Sequence, residues 1–333
     1  LPCHFHELPS FFEEGVYPVD VAFISVSEPN EEGYCSFGVS CDYTKPAAEC
    51  ARIVVAEVNK QMPFIGGDNL IHVTKLDYIV PVDRPLVEIP PAPIGEVEQR
   101  IGEICAELIE DGDTLQIGIG AIPDAVLQCL QGRKDLGLHT EMFTDGVMHM
   151  IQSGHVTGEK KTLHHRKVAS SIIMGSKALY DFIDHNEMIE MYPVHHMNDP
   201  YVIGQNDRMV SINSCLEIDL YGQVASEAIG LEQFSGTGGQ VDYLRGAKRS
   251  RGGRSILAFT STAKGGTVSR IVPVLPPGAT VTSGRNEVDY IATEYGAVRL
   301  RGLTLRERAL ALVSIAHPDF RLGLMAAIEE RFS

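Results

Sequence analysis

Thr114-Leu115-Gln116-Ile117-Gly118-Ile119-Gly120-Ala121-Ile122-Pro123 is the stretch whose reading decides the fold of this chain. Thr114 to Ile117 reads as a short strand, and the residues from Gly118 to Ile122 as a tight turn. Pro123 can open the helix that follows, with Val126, Leu127 and Leu130 turned inward. Upstream, Val97, Ile101, Ile104, Cys105 and Leu108 recur at helical spacing, and Asp111-Gly112 closes that helix. Downstream, Leu136-Gly137-Leu138-His139-Thr140 reads as a short buried strand that ends just before Glu141. Helix and strand signals alternate, which predicts an α/β fold with a mostly parallel sheet covered on both faces.

The same alternation extends toward the amino end. Residues 19–26 form an apolar, β-branched run that reads as a buried parallel strand. Pro46 suits the first turn of a helix predicted over 46–61, with Ile53, Val54 and Val58 inward. Residues 71–73 and 78–82 are further short strands. Ile89-Pro90-Pro91-Ala92-Pro93 can continue neither a helix nor a central strand, and predicts a boundary between domains at 1–92 and 93–333. Residues 212–220 are strand-like, and Thr304 with Glu307 forms a capping box ahead of Ala309, Leu312, Val313 and Ala316.

A chain of 333 residues is long enough for two domains. No apolar run reaches the roughly 18 residues of a membrane span, and no secretory pattern opens the chain. A cytoplasmic location is therefore expected. The sequence starts without a methionine, which suggests that its true amino terminus is missing. The net charge of −16 argues against a nucleic-acid or anionic-membrane partner. Cations concentrate at Arg245, Lys248, Arg249, Arg251 and Arg254, either to attract an anionic ligand or as a solvated surface loop. Seven scattered cysteines without a Cys-x-x-Cys pair read as reduced core residues. Cys3-His4-Phe5-His6 lacks two further ligands at zinc spacing, so no metal is expected. In His164-His165 and His195-His196, neighbouring side chains on a regular element point apart.

The chemistry concentrates in His139-Thr140-Glu141-Met142-Phe143-Thr144-Asp145-Gly146. A carboxylate at the carboxyl end of a parallel strand lies where open α/β sheets place their chemistry, and can act as a covalent nucleophile. Gly118-x-Gly120-x-x-Pro123 partly matches a dinucleotide fingerprint, with proline in place of the third glycine. Glu141 lies near the spacing of that motif's acidic residue, so a hydride-transfer reading stays open beside an acyl-binding one. In the acyl-binding reading, the turn's N–H groups hold a carbonyl oxygen as charge develops on it. Ser235-Gly236-Thr237-Gly238-Gly239 is either a sharp structural turn or a place of close approach to a ligand. Asn213 could orient a bound carboxylate.

Together with Gly33-Tyr34-Cys35-Ser36-Phe37-Gly38, Ser261-Thr262-Ala263-Lys264, Thr293-Glu294-Tyr295-Gly296 and Ala316-His317-Pro318-Asp319-Phe320-Arg321, these motifs span essentially the whole chain. In this order they closely resemble the acetyl-CoA hydrolase/transferase family of CoA-transferases. The resemblance implies two open, mostly parallel α/β domains with the active site at their interface, the first domain here incomplete. It implies that Glu141 is the nucleophile, supported by Glu294 and assisted by Asn213. CoA-binding positions fall on Gly118, Ile119, Gly120, Ala121 and Ile122, and on Gly236, Gly238 and Gly239. The implied substrates are an acyl-CoA and a short-chain carboxylic acid such as 4-hydroxybutyrate, butyrate or acetate. No cofactor or metal is called for, and a homodimer or higher oligomer is expected. Hydrolysis by the same glutamate, or an inactive acyl-CoA-binding protein, are the alternatives. Phe64-Ile65 and Val80-Pro81-Val82 depart from the family pattern, which bears on acyl-chain preference rather than on the chemistry.

Overall fold

The computed structural model describes residues 1–332. Its amino-terminal unit is built on a parallel sheet of β1 (Val21–Val26), β2 (Ile53–Asn59) and β4 (Tyr78–Val82), in the order β1-β2-β4. The short β3 (Gly66–Gly67) instead joins the larger sheet described below. The helix predicted over 46–61 divides: α1 (Thr44–Cys50) stops where Ala51 turns extended, and β2 follows. Ile53, Val54, Val55 and Val58 are β-branched, which favours the pleated conformation. Burial alternates along β2, with Val54, Ala56 and Val58 inside, so Val54 and Val58 fit a period of two as well as a helical one. One face of this sheet is bare: Val21, Phe23, Tyr78 and Val80 are exposed, Phe23 by 79%. Parallel sheets are ordinarily covered on both faces.

The chain then runs through α2 (Glu96–Glu107), β5 (Thr114–Ile117), α3 (Ala121–Cys129), β6 (Gly137–Phe143), α4 (Asp145–Gln152), β7 (Val168–Ile173), β8 (Ile189–Met191), α5 (Val194–Met197) and β9 (Met209–Asn213). It continues through α6 (Gln240–Arg249), β10 (Arg254–Ala258), β11 (Tyr290–Thr293), β12 (Gly296–Arg299) and α7 (Leu305–Ser314). Nine strands make one sheet in the order β12-β11-β10-β9-β5-β6-β7-β8-β3. Every pairing is parallel except the β11–β12 hairpin. Leu115, Leu138, Phe143, Val210, Ile212 and Ile256 are buried in it, each contributing about 1.5–3 kcal/mol of transfer free energy. The capping box is present at α7, where Glu307 N–H donates to Thr304 Oγ1 at 3.3 Å and Thr304 N–H donates to Glu307 Oε2 at 2.8 Å.

Strand order decides where a site can form. From β5 the chain builds outward through β6, β7 and β8, then returns to the opposite side of β5 as β9 and builds through β10 and β11. The connections after β5 and β9 therefore diverge, leaving a crevice beyond the carboxyl ends of these two strands. The strand predicted over 212–220 breaks at this place. β9 ends at Asn213, and Glu217–Asp219 pairs in a separate three-stranded sheet. Arg270 draws the intervening chain away, donating to the carbonyls of Cys215 and Leu216.

Candidate active site

β6 continues to Phe143, so Glu141 lies within the strand rather than just past its end. β5 pairs with β6 only through Thr114 and Leu115. Beyond them the strands part and the Thr140 side chain bridges the gap: Ile117 N–H donates to its hydroxyl at 3.3 Å, and that hydroxyl lies 3.2 Å from the Ile117 carbonyl. Thr140 thus spreads the sheet one residue before the carboxylate. Glu141 then stands in the resulting cleft, a cavity of about 260 Å³ lined by Gln116, Ile117, Gly118, Ile119, Asn213 and Gly239 among others.

The carboxylate of Glu141 is half-buried and pairs with no cation among the described residues. Its hydrogen bond comes from Asn198, whose Nδ2 donates to Oε2 at 2.6 Å. Burial is the main influence on its acidity, and the Asn198 bond opposes burial while the negative charges of Asp242 and Asp42 add to it. The result is a pKa pushed up from 4.5 to about 7. Such a group is ionised enough near neutrality to attack and is poorly solvated, which suits a carboxylate nucleophile.

Each predicted residue has a definite place. Gly118 and Ile119 line the cleft, whereas Ala121 and Ile122 belong to the first turn of α3 and lie outside its lining. Gly120 caps α3 at φ 111°, a conformation few residues other than glycine adopt. Among the three later glycines, Gly239 is the one pressed against the carboxylate. A methyl group on it would collide with Glu141 Oε2 and Asn198 Nδ2. Gly236 and Gly238 line an adjoining cavity of about 640 Å³ that shares Ile119, Ser214, Gly239 and Gln240 with the cleft. Leu1, Cys3, Phe5 and Leu8 wall that cavity from the amino-terminal unit. Asn213 lines the cleft with its side chain engaged by Gln116 and Ser211. Glu294 is outside the cleft lining, held by the Ser261 N–H at 2.9 Å and the Ser261 hydroxyl at 2.5 Å.

Two residues were not foreseen. Asn198 is fully buried just after α5, and Tyr243 of α6 directs its hydroxyl to the Met197 carbonyl at 3.1 Å, with Asn198 Oδ1 at 3.4 Å. Asn198 precedes Asp199-Pro200, and in sequence such an asparagine is indistinguishable from a turn residue. The basic cluster resolves toward the surface reading. Arg254 binds Asp113, Arg251 binds Asp207, Arg245 and Lys248 approach Glu287, and Arg249 lies over the Tyr201 ring. None of the five lines the cleft. His4 and His6 turn toward Asp242, His6 Nδ1 at 2.8 Å from Oδ1. A larger cavity of about 1010 Å³ lies among α2, α3, α4 and residues 91–95; it takes in Asp145 and Gly146 from the end of the Glu141 motif but none of the predicted catalytic or CoA-binding residues.

Residues 1–91 match the acetyl-CoA hydrolase/transferase N-terminal domain and residues 175–328 the C-terminal domain of the same name. The 4-hydroxybutyrate coenzyme A transferase of Clostridium kluyveri is 59% identical over 99% of this chain and 77% of its own length. The chain belongs to the acetyl-CoA hydrolase/transferase family, and it is a CoA-transferase. Within the family, the succinyl-CoA:acetate/propanoyl-CoA:succinate CoA transferase of Fasciola hepatica is 46% identical over 99% of this chain and 70% of that protein. A solved 4-hydroxybutyrate CoA-transferase from Porphyromonas gingivalis superposes with a TM-score of 0.91 at 63% identity, covering 100% of this chain and 80% of that one. The family fold predicted from sequence, mostly parallel α/β, is the fold observed.

Proposed function

We propose that the protein is an acyl-CoA:carboxylate CoA-transferase of the 4-hydroxybutyrate, butyrate or acetate type, with Glu141 as covalent nucleophile. The observation that carries the assignment is a carboxylate at the sheet's switch point, without a cation partner among the described residues, pressed against Gly239 and held by one amide. A Glu141 oxygen attacks the thioester carbonyl, the C–S bond breaks, and CoA leaves as a thiolate, giving an acyl-glutamyl anhydride. The thiolate then attacks the glutamyl carbonyl and the first acid leaves, giving an enzyme–CoA thioester. A second carboxylate reverses both steps. Charge develops on an acyl oxygen and on a glutamyl oxygen, and the scheme assigns them to main-chain N–H groups of the turn beyond Gly118, whose own N–H is spent on Ile212, and of the Gly239 loop; Gly118, Ile119 and Gly239 line the same cleft as the carboxylate. Removing one such donor costs roughly 2.7–4 kcal/mol in comparable sites.

Glu294 and Asn213 act in this scheme as supporting groups, Asn213 from the cleft wall and Glu294 from the loop that Ser261 holds. The cysteines of the chain are free, and Cys35, Cys41, Cys105 and Cys215 are buried, which supports a reducing, cytoplasmic setting. A homo-oligomer belongs to the same proposal, and light scattering on the purified protein tests it. The chemical assignment is tested by incubating the protein with butyryl-CoA and measuring its intact and peptide masses. A CoA adduct on the peptide holding Glu141 is expected. Wild-type turnover in Glu141→Ala would end the proposal. Omitting acetate as acceptor separates transfer from hydrolysis, because a transferase then stays nearly idle.

A further inference from the structure

His139 sits two residues before Glu141 on β6, on the same face of the strand, and is 0% exposed. Its Nε2 lies 2.9 Å from the Met197 carbonyl oxygen, so that nitrogen carries the proton and donates. The opposite nitrogen, Nδ1, is buried with no hydrogen-bond partner among the described residues. Burial and the nearby Lys161 ammonium hold the ring far below the usual histidine range, so the imidazole is neutral. A neutral imidazole with one orphaned nitrogen is a costly way to fill a core. The compensation lies in what the other nitrogen holds.

The Met197 carbonyl receives two donors, His139 Nε2–H at 2.9 Å and the Tyr243 hydroxyl at 3.1 Å. With both lone pairs engaged, that peptide cannot rotate freely. The next residue is Asn198, whose Nδ2 makes the 2.6 Å bond to Glu141. Its Oδ1 lies 3.4 Å from the same Tyr243 hydroxyl, whose single proton, shared between the nearer Met197 carbonyl and this oxygen, favours the amide with nitrogen toward the carboxylate. Strand β6 therefore carries both the nucleophile and, one strand repeat earlier, the group that fixes the nucleophile's partner.

We propose that His139 is a positioning residue, clamping the Met197 carbonyl together with Tyr243 so that the Asn198 amide stays aimed at Glu141. The inference deepens the functional reading and rests on Glu141 being the nucleophile. Its chemical content is specific. The Asn198 bond favours the ionised carboxylate, so loosening the clamp makes Glu141 harder to ionise.

The test measures formation of the enzyme–CoA adduct from butyryl-CoA across pH in the full chain, with His139→Leu, His139→Gln, Tyr243→Phe and Glu141→Gln. In His139→Leu, adduct formation near pH 6.5 should slow about tenfold, as for loss of one hydrogen bond to a charged site. The acid limb of the profile should rise by about half a unit or more. The acyl-CoA KM should stay within about twofold, because His139 is fully buried and lines neither the cleft nor the adjoining cavity. His139→Gln, whose Nε2–H can reach the same carbonyl, should recover most of the rate and return the limb. Wild-type rate and limb in His139→Leu would overturn the inference. So would a uniform loss at every pH that glutamine does not rescue, since that marks a role in packing alone. Should His139→Leu fail to fold, Tyr243→Phe is read by the same two criteria. Adduct formation by Glu141→Gln would instead remove the nucleophile assignment itself. An inert Glu141→Gln beside a wild-type His139→Leu would remove only the clamp.

Discussion

In its proposed role Glu141 trades stability for reactivity, and the sign of that trade follows from its pKa. Folding raises the value from 4.5 to about 7, so the folded chain holds this proton more tightly than the unfolded chain does. The contribution is full below about pH 4.5 and is lost as pH rises to about 7. Above that, the poorly solvated ionised carboxylate opposes folding by an amount on the order of 3 kcal/mol. Glu141→Gln should accordingly melt at a higher temperature than the wild type at pH 8 and at the same temperature at pH 4. Scanning calorimetry at the two values checks this. Under the proposed mechanism the same titration governs chemistry: kcat/KM should fall about tenfold per unit below an apparent pKa near 7, because there only the carboxylate form attacks. Asn198→Ala removes a bond to the charged form worth about 1.5–3 kcal/mol. It should slow adduct formation by about tenfold or more and move the acid limb upward, measured by the same single-turnover assay.

Elements place these residues through backbone demands that differ between glycines resembling one another in sequence. Gly120 is needed for its dihedral, since a Cβ there would meet nothing within 4 Å yet φ is 111°. Gly239 is needed for space, because its φ of −92° suits any residue while a methyl group would strike Glu141 and Asn198. Gly236 is constrained in neither way. Gly239→Ala should therefore lower transfer by about a hundredfold or more with the melting temperature little changed, as the proposed oxyanion role of this loop requires. Gly120→Ala should cost about 1–3 kcal/mol of stability from strain, and Gly236→Ala should alter neither property much. Steady-state kinetics alongside thermal melts of the three variants separate the cases. The alternation of β5, α3 and β6 was readable because apolar spacing and turn residues agree with each other there. β2 was misread because Val54 and Val58 satisfy two periods at once, and only pairing with β1 and β4 selects between them.

At the level of the whole molecule, charge is spent locally. The chain carries −16, and four of its densest group of five cations are paired with its own Asp113, Asp207 and Glu287, while Arg249 lies over the Tyr201 ring. Reversing Arg249 and Arg251 should leave the acyl-CoA KM within about twofold even at low salt, where any direct contact to phosphate would be least screened. A KM that rises steeply and recovers with added salt would restore this surface to the binding site. The amino-terminal sheet shows the opposite feature, an apolar face with Phe23 79% exposed. The departures at Phe64 and at Val80-Pro81-Val82 also fall in this unit, where Phe64 stacks on His185 with 5.3 Å between ring centroids.

The order of residues by itself determined the α/β class, the turn after Thr114–Ile117 and the capping box at Thr304, because each depends on contacts a few residues apart; Glu141 was singled out instead by its place at a strand's end and by family motifs spread along the whole chain. Which residues meet that carboxylate was decided only in three dimensions. Asn198 lies 57 positions from Glu141, and Gly239 farther still. They come together because the strand order reverses at β5 and brings the ends of α5 and α6 over one cleft. Local spacing carries no information about that reversal, since the driving force is burial of two faces of one sheet and is indifferent to separation along the chain.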